Sequence, residues 1–300
     1  MKKNRAMINA FLAPAVLAYL VVFLYPTLRT IVMSFFKVES VTDSVSKWKF
    51  FGLGNFKTIF SSELFITSLK NIGNIWLIGG ISVMVLALLF AVILTSGIKF
   101  KSFYRSAIYL PNVVSAVAMG TMWINYIYNT DFGLLNRILA FFGQGNKKVL
   151  WLGPDRIFWS MLVAYCFGMV GYHMLIFMAG IERIPQDYYE AATIEGANIW
   201  DRFIKITLPL LKGVTRSNIV IWTVTTVGFF VWGQIFSPVN LSAGTAAPMN
   251  YMYELVFGSS SSVTVRDSGA GAAIGVLMTL IVVTVFFATT FIVRNDDSEM

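Results

Sequence analysis

Six long apolar runs, separated by segments that carry most of the charges, constrain this chain more than any other feature of its sequence. Each run has about the 20 residues that an α-helix needs to cross the hydrocarbon core of a bilayer. Inside the bilayer no water is available, so the backbone must satisfy its hydrogen bonds within the helix itself. The predicted spans are residues 6–25, 75–95, 106–128, 157–181, 214–231 and 270–293.

The composition favours a membrane protein over a soluble one. Hydrophobic residues make up 57% of the chain and charged residues only 13%, too few to cover a surface that faces water. The net charge of +8 does not indicate a nucleic-acid partner, because the basic residues are scattered near the ends of the apolar runs, where they contact lipid headgroups. The predicted fold class is an all-α membrane protein with six transmembrane helices.

The first apolar run is long for a signal peptide and has no small-residue cleavage site after it, so a retained helix ending at Pro26 is expected. Six spans place both termini on one side, and the basic residues near the N-terminus and between Lys99 and Arg105 favour the cytoplasm. Three regions follow: residues 1–70 as the first span and an external loop, residues 71–294 as the transmembrane core, and residues 295–300 as a cytoplasmic tail.

The longest charged segment between two spans runs from Ile184 to Pro209. Pro185 is well placed to start a short helix, and Gly196 can end it by adopting a left-handed backbone conformation. A second helix is expected from Asn198 to Lys205. From these residues alone, the alternative is an ordinary amphipathic loop helix.

The spacing within this segment carries a more specific signal. Glu190-Ala191-Ala192 is followed by three residues, then Gly196, then nine residues and Ile206-x-Leu208-Pro209. This pattern resembles the EAA motif of ATP-binding-cassette (ABC) importer permeases, with every anchor residue in register. The resemblance implies a cytoplasmic coupling helix that docks on an ATPase subunit. It assigns the docking to Glu190, Ala191, Ala192 and Gly196.

Further residues around the motif are similar to the carbohydrate (maltose-type) branch of these permeases, with which the resemblance extends over about residues 8–293. They are Ile184-Pro185, Tyr188-Tyr189, Asn198-x-Trp200 and Phe203-x-x-Ile206-Thr207-Leu208-Pro209. The resemblance implies half of the pore of a carbohydrate importer in a bacterial or archaeal cytoplasmic membrane. The implied partners are a second homologous permease, two cytoplasmic ATPases and an extracytoplasmic solute-binding protein.

No Gly-x-x-x-x-Gly-Lys-[Ser/Thr] phosphate loop occurs in the sequence, so ATP and Mg²⁺ are expected to bind the partner ATPases. The acidic residues lie in loops, and the chain has a single histidine, His173, which leaves no plausible acid/base or metal cluster. We therefore expect a non-catalytic subunit without a cofactor or metal ion of its own.

Polar and aromatic side chains that share a face of a span are candidates for a sugar path, because sugars bind aromatic faces and neutral hydrogen-bonding groups. The candidates are Tyr165, Tyr172 and His173 in the fourth span, Asn218, Trp222, Thr226 and Phe229 in the fifth, and Gln234 beyond it. For each of them, packing between helices without ligand contact is the alternative. A proton relay through His173 is disfavoured, since no charged residue lies deep within the spans to pair with it; Arg216 is at the very start of the fifth span.

A secondary transporter or channel that works without an ATPase is the competing function. It would need ionisable groups inside the membrane or a selectivity-filter segment, and the sequence offers neither. The substrate remains open among mono-, oligo- and uronosaccharides. Basic residues outnumber acidic ones in the predicted outer loops, which suits an anionic saccharide, but attraction to lipid headgroups explains the excess equally well.

Overall fold

The computed structural model describes residues 2–144, 148–239, 241–258 and 266–292. Helix α1 consists of Lys2–Tyr19, a π-helical turn at Leu20–Leu24 and Tyr25–Met33. The prediction that the first helix ends at Pro26 is therefore wrong. The N–H of Tyr25 bonds to the carbonyl of Leu20, and this wide turn directly before the proline accommodates its ring, which would clash with the carbonyl four residues earlier in a regular helix.

A small hairpin and a short helix follow α1. Strand β1 (Phe36–Lys37) pairs antiparallel with β2 (Lys49–Phe50), with Phe36 opposite Phe50. Helix α2 (Gly54–Phe60) contributes the buried Asn55, whose amide nitrogen donates to the carbonyls of Ser34 and Phe36 at 2.9 and 2.8 Å.

Helix α3 consists of Glu63–Asn74, a π-helical turn at Ile75–Gly79 and Gly80–Thr95. The predicted third span is not one straight helix: α4 (Lys101–Val113) and α5 (Ala116–Met122, continued by a π-helical turn at Trp123–Ile127) meet at an angle of 97°. The break has a local cause, because Val114 is extended and the Ser115 side chain caps α5 by accepting from the N–H of Ala118.

The remaining helices continue to residue 292. They are α6 (Leu134–Leu139), α7 (Ile157–Ile181), α8 (Gln186–Ile194), α9 (Ile199–Arg202, Phe203–Thr207 as a π-helical turn, and Leu208–Leu210), α10 (Lys212–Val227), α11 (Val231–Phe236), α12 (Pro248–Phe257) and α13 (Ser268–Ile292).

The all-α fold class is confirmed. Within the described ranges, four helices are long and apolar enough to cross a membrane, or five if the bent pair α4 and α5 counts as one span. The predicted fifth span, residues 214–231, corresponds to α10, a break at Gly228–Phe230 and α11. The count of six spans stays a prediction, and the predicted tail at 295–300 lies outside the described residues.

The chain divides into two compact units. The first comprises residues 1–66 and 251–280, where Met33, Val38 and Ala272 form a small core against Phe36 and Trp48. Ser268 donates a hydrogen bond to the carbonyl of Glu39. The first division between these units lies after residue 66, not at the predicted boundary at residue 70. That boundary is based on membrane topology and stays a prediction.

The second unit comprises residues 67–250 and 281–300 and contains the larger core. Here α3, α7 and α10 approach one another closely. At Gly80 of α3 a Cβ atom would lie 2.5 Å from Nε1 of Trp222 in α10, so only glycine leaves room for this indole. Trp222 in turn donates to the carbonyl of Trp76, while Trp76 donates to the hydroxyl of Thr223. The pair of indoles ties α3 to α10.

Candidate functional site

The segment 184–209 folds as a short capped helix followed by a second helix. Pro185 lies at the N-terminal cap of α8, and Gly196 follows its C-terminal cap with φ +81°. The N–H groups of Gly196 and Ala197 bond to the carbonyls of Thr193 and Ala192, the paired hydrogen bonds of a Schellman motif. The predicted helix start at Pro185 and left-handed end at Gly196 are confirmed.

The two faces of α8 have different surroundings. Tyr189 and Ala192 are half-buried and lie on one face, whereas Asp187, Glu190, Ala191 and Ile194 are exposed. With 3.6 residues per turn, these four exposed positions share the opposite face. Glu190 and Ala191 are therefore free for contact with another protein, while Ala192 faces inward and Gly196 forms the cap.

The second helix begins at Asn198, whose side chain accepts from the N–H of Asp201 at 2.9 Å. The expected helix from Asn198 to Lys205 is present and extends further, through the π-helical turn at Phe203–Thr207 to Leu210. The hydroxyls of Tyr189 and Thr207 lie 2.9 Å apart, and Arg202 donates to the hydroxyl of Thr193 at 3.2 Å. Side-chain hydrogen bonds thus join α8 to α9.

Two ion pairs lie in and beside this segment. Lys205 Nζ and Asp201 Oδ1 are 2.8 Å apart within α9. The hydrogen bond from Lys205, together with its charge, lowers the pKa of Asp201. The hydrogen bond to Asp201, together with the charge of Asp201, raises the pKa of Lys205. Lys101 at the start of α4 meets Glu182 at the end of α7 at 2.6 Å. Both pairs are solvent-accessible, so they orient the side chains and contribute little to stability.

The exposed surface of the segment is also apolar. Ile194 is 89% exposed, and Ile199 and Trp200 are each 72% exposed. Side chains of this size are common at the centre of protein interfaces, aromatic ones above all. The exposed residues of the segment thus combine the carboxylates of Asp187 and Glu190 with apolar side chains, a composition suited to docking on a protein partner.

The sugar-path candidates lie in a different place, within the core of the second unit. Tyr165 in α7 packs against three aromatic rings, with centroid distances of 5.0 Å to Phe229, 5.5 Å to Trp222 and 5.8 Å to Trp232. We call these four residues the aromatic cluster. All four are buried. In this conformation their rings contact one another and leave no exposed face for a sugar.

A polar pair lies next to the aromatic cluster. His173 and Asn218 are fully buried, and Nδ1 of His173 donates to Oδ1 of Asn218 at 2.7 Å. The other nitrogen of each side chain has no hydrogen-bond partner among the described residues. The hydroxyl of Tyr165 lies beside the hydroxyls of Thr225 and Thr226. Buried polar atoms without partners are costly, so this group of side chains is suited to receive additional hydrogen bonds.

The two remaining candidates, Tyr172 and Gln234, are half-buried. The structure thus brings six candidates together from α7, α10 and the break after α10: Tyr165, His173, Asn218, Trp222, Thr226 and Phe229. Sequence reasoning missed Trp76 and Trp232. Both are tryptophans within or beside apolar runs, and that position was their only signal. Asn240, another possible lining residue near Gln234, lies outside the described residues.

Among the described residues, no group of three histidine, cysteine, aspartate or glutamate side chains is placed to hold a metal ion. Cys166 is a free thiol in α7. Its Sγ lies near the α3 backbone, 3.9 Å from the carbonyl oxygen of Gly79.

A family comparison matches most of the chain. Residues 75–295 match the family described as "Binding-protein-dependent transport system inner membrane component". The matched region contains α7 to α10, with segment 184–209 and every sugar-path candidate.

Two individual relatives are named as permease proteins of transport systems. The arabinooligosaccharides transport system permease protein AraP of Halalkalibacterium halodurans is 30% identical over 90% of this chain and 82% of its own length. The lactose transport system permease protein LacF of Rhizobium radiobacter is 29% identical over 82% of each chain.

The fold also matches a solved structure. A chain from the crystal structure of a bacterial ABC transporter involved in the import of the acidic polysaccharide alginate superposes with a TM-score of 0.81. The match covers 99% of this chain and 98% of that chain at 19% sequence identity, which shows a shared fold.

Proposed function

Because the chain belongs to the family of inner-membrane components of binding-protein-dependent transport systems, we propose that it forms half of the translocation pore of an ATP-driven ABC importer for a carbohydrate. The observation that carries this proposal is α8, a capped helix that presents Glu190 and Ala191 on an exposed face. Relatives named for arabinooligosaccharide and lactose transport support a saccharide as the substrate.

The partners follow from this role. A second, homologous permease completes the pore, two cytoplasmic ABC ATPases bind and hydrolyse ATP with Mg²⁺, and an extracytoplasmic solute-binding protein delivers the sugar. The chain itself performs no catalysis. It lies in the cytoplasmic membrane of a bacterium or archaeon, with segment 184–209 on the cytoplasmic side.

The docking residues have separate tasks in this proposal. Glu190 and Ala191 contact the ATPase directly, because they occupy the free face of α8. Ala192 keeps the inner face small enough to approach α9, and Gly196 ends the helix at a fixed point. Closure of the ATPase dimer moves α8 as a rigid body and, through α7 and α10, changes the side of the membrane to which the pore opens.

The sugar path runs between α7 and α10. In the described conformation the aromatic cluster and the pair of His173 and Asn218 are closed against each other. Separation of α7 from α10 exposes aromatic faces together with polar atoms of Tyr165, His173, Asn218 and Thr226, the two kinds of group that bind neutral sugars. Tyr172 and Gln234 are half-buried already and line the same path closer to the surface.

Co-expression with the ATPases, the second permease and the binding protein tests the proposal. The chain should co-purify with the ATPases and support ATP-dependent sugar uptake in vesicles. Glu190→Ala and Gly196→Pro should each abolish uptake while membrane insertion stays intact. Glu63→Ala is the matched control, since it removes the same charge from an exposed position outside segment 184–209.

Two results would contradict the proposal. Full uptake by Glu190→Ala and Gly196→Pro would remove the docking assignment. Sugar uptake by the purified chain alone, without ATP, would instead support a secondary transporter or channel.

A further inference from the structure

A partly buried hydrogen bond joins α8 to the far part of α9. The hydroxyls of Tyr189 and Thr207 lie 2.9 Å apart although the two residues are 18 positions apart in the chain. Thr207 is buried, and its oxygen also lies 3.5 Å from the carbonyl of Arg202. Donation from Tyr189 to Thr207, with the Thr207 hydrogen directed at that carbonyl, satisfies both hydroxyls.

A second bond lies on the same face of α8. Arg202 donates to the hydroxyl of Thr193, which in turn donates to the carbonyl of Tyr189 at 2.6 Å. Tyr189 and Thr193 are four residues apart, so their side chains are neighbours on one face of the helix. Two contacts one turn apart fix the direction of α8 relative to α9, and the partly buried contact of Tyr189 with Thr207 is the less exposed to competition from water.

The bond at Thr207 leads directly into the core. The N–H of Leu211, one turn later, bonds to the carbonyl of Thr207 at 3.0 Å. Leu211 is 1% exposed and packs against α7, where a Cβ at Gly180 would lie 2.8 Å from it. Thr207 is therefore one helical turn from the residue that caps the start of α10 and packs on α7.

A displacement of α8 can thus reach the spans by two routes. One route is covalent, from α8 through Pro185 to the end of α7. The other passes from Tyr189 through Thr207 and Leu211 to α10, the helix that carries Asn218, Trp222 and Thr226. Without the second route, α10 is connected to α8 through the turn at Gly196, the exposed part of α9 and the exposed hydrogen bond of Arg202 with Thr193.

We propose that Tyr189 and Thr207 are positioning residues that fix the angle between the docking helix α8 and α10, so that movement of the ATPases is transmitted to α10 and not absorbed by the loop. The inference rests on the proposed docking of α8. Neither residue touches the sugar or ATP; their effect is on the amount of transport that each ATP hydrolysis produces.

The test uses the complete complex in proteoliposomes and measures sugar imported per ATP hydrolysed. Tyr189→Phe and Thr207→Val each remove the hydrogen bond and should lower this ratio about fivefold, with assembly and ATP hydrolysis retained. The double variant should lower it no further than either single variant, because both remove the same bond. Thr207→Ser keeps the hydroxyl and should keep the ratio.

Tyr188→Phe is the matched control. It removes the same hydroxyl from the neighbouring tyrosine, which is 47% exposed, and should leave the ratio unchanged. An unchanged ratio in Tyr189→Phe and Thr207→Val, or an equal loss in Tyr188→Phe, would overturn the inference. The proposed function would still stand in that case if Glu190→Ala abolishes uptake. Failure of the unaltered chain to assemble with ATPases would reject both.

Discussion

Segment 184–209 and the aromatic cluster are held in place by different forces. The segment is largely exposed, and its shape comes from a Schellman cap at Gly196, an N-terminal cap at Asn198 and side-chain hydrogen bonds between α8 and α9. The aromatic cluster is buried, and rings with centroids 5.0 to 5.8 Å apart hold it together. The segment can therefore change its surface without disturbing the fold, whereas the cluster cannot.

The largest effect is expected from a substitution at Gly171 of α7, which lies in the buried core. A Cβ at this position would lie 2.3 Å from the carbonyl oxygen of Ile108, which is backbone and cannot rotate away. Gly171→Ala should lower the free energy of unfolding by about 1–3 kcal/mol or more and reduce the yield of monodisperse protein in detergent. Thermal unfolding of the purified complex measures the loss.

Gly73 in α3 is the control for this substitution, because no atom lies within 4 Å of a Cβ built there. Gly73→Ala should leave the protein as stable as before, or more stable by about 0.5–1 kcal/mol. Equal destabilisation by Gly171→Ala and Gly73→Ala would show that close helix contact is not the reason why the core cannot accept an added methyl group.

A smaller effect is expected at the buried polar pair. Asn218→Leu removes the acceptor of His173 and should cost about 0.6–1.7 kcal/mol, the range for hydrogen bonds between helices in membranes. The double variant Asn218→Leu with His173→Phe should cost less than the sum of the single variants, since it leaves no buried group unpaired. A double-mutant cycle on thermal unfolding checks this. Strict additivity would mean that the two side chains are not coupled.

The smallest effect concerns the ion pair of Asp201 with Lys205. Because Lys205 lowers the pKa of Asp201 in the folded chain, the pair is fully formed above the ordinary aspartate pKa of about 3.9 and is lost only as the pH falls through the lower folded value. Unfolding temperature and uptake of Asp201→Asn should therefore match the unaltered chain between about pH 6 and pH 8. A clear difference at low salt that disappears at high salt would reveal a larger electrostatic role.

The contrast between segment 184–209, which local hydrogen bonds shape, and the aromatic cluster, which packing holds, explains which features the sequence could predict. The helix at 186–194 and its end at Gly196 were predictable because proline and glycine encode them locally. The continuation of α1 through Pro26 was not predictable, since it depends on a π-helical turn that none of residues 20–24 indicates. The break at Val114 and Ser115 was missed because an apolar run has the same composition whether it is straight or bent by 97°.

In the candidate site, the sequence predicted which residues share α7 and α10 but not what they contact. Trp222 and Phe229 share one face of the predicted fifth span, but no pattern in the sequence relates them to Tyr165. Packing between the helices brings the three rings together. The pairing of Trp76 with Trp222 depends on Gly80, about 140 residues away in sequence from its partner indole. Likewise, nothing in the order of residues indicates that Tyr189, and not Tyr188, reaches Thr207.

The Schellman cap at Gly196 is one of several local bonds that allow segment 184–209 to be considered as an exchangeable unit. The Schellman cap and the side-chain hydrogen bonds between α8 and α9 lie within segment 184–209, so the segment forms a cassette that is shaped by its own residues. The bond from Leu211 to Thr207 joins this cassette to α10. On the proposed docking and sugar path, exchange of this cassette between permeases of the family would alter which ATPase is recruited and leave the pore's selectivity with the chain that supplies α7 and α10. Recognition of the ATPase and recognition of the cargo could thus diversify independently within one polypeptide.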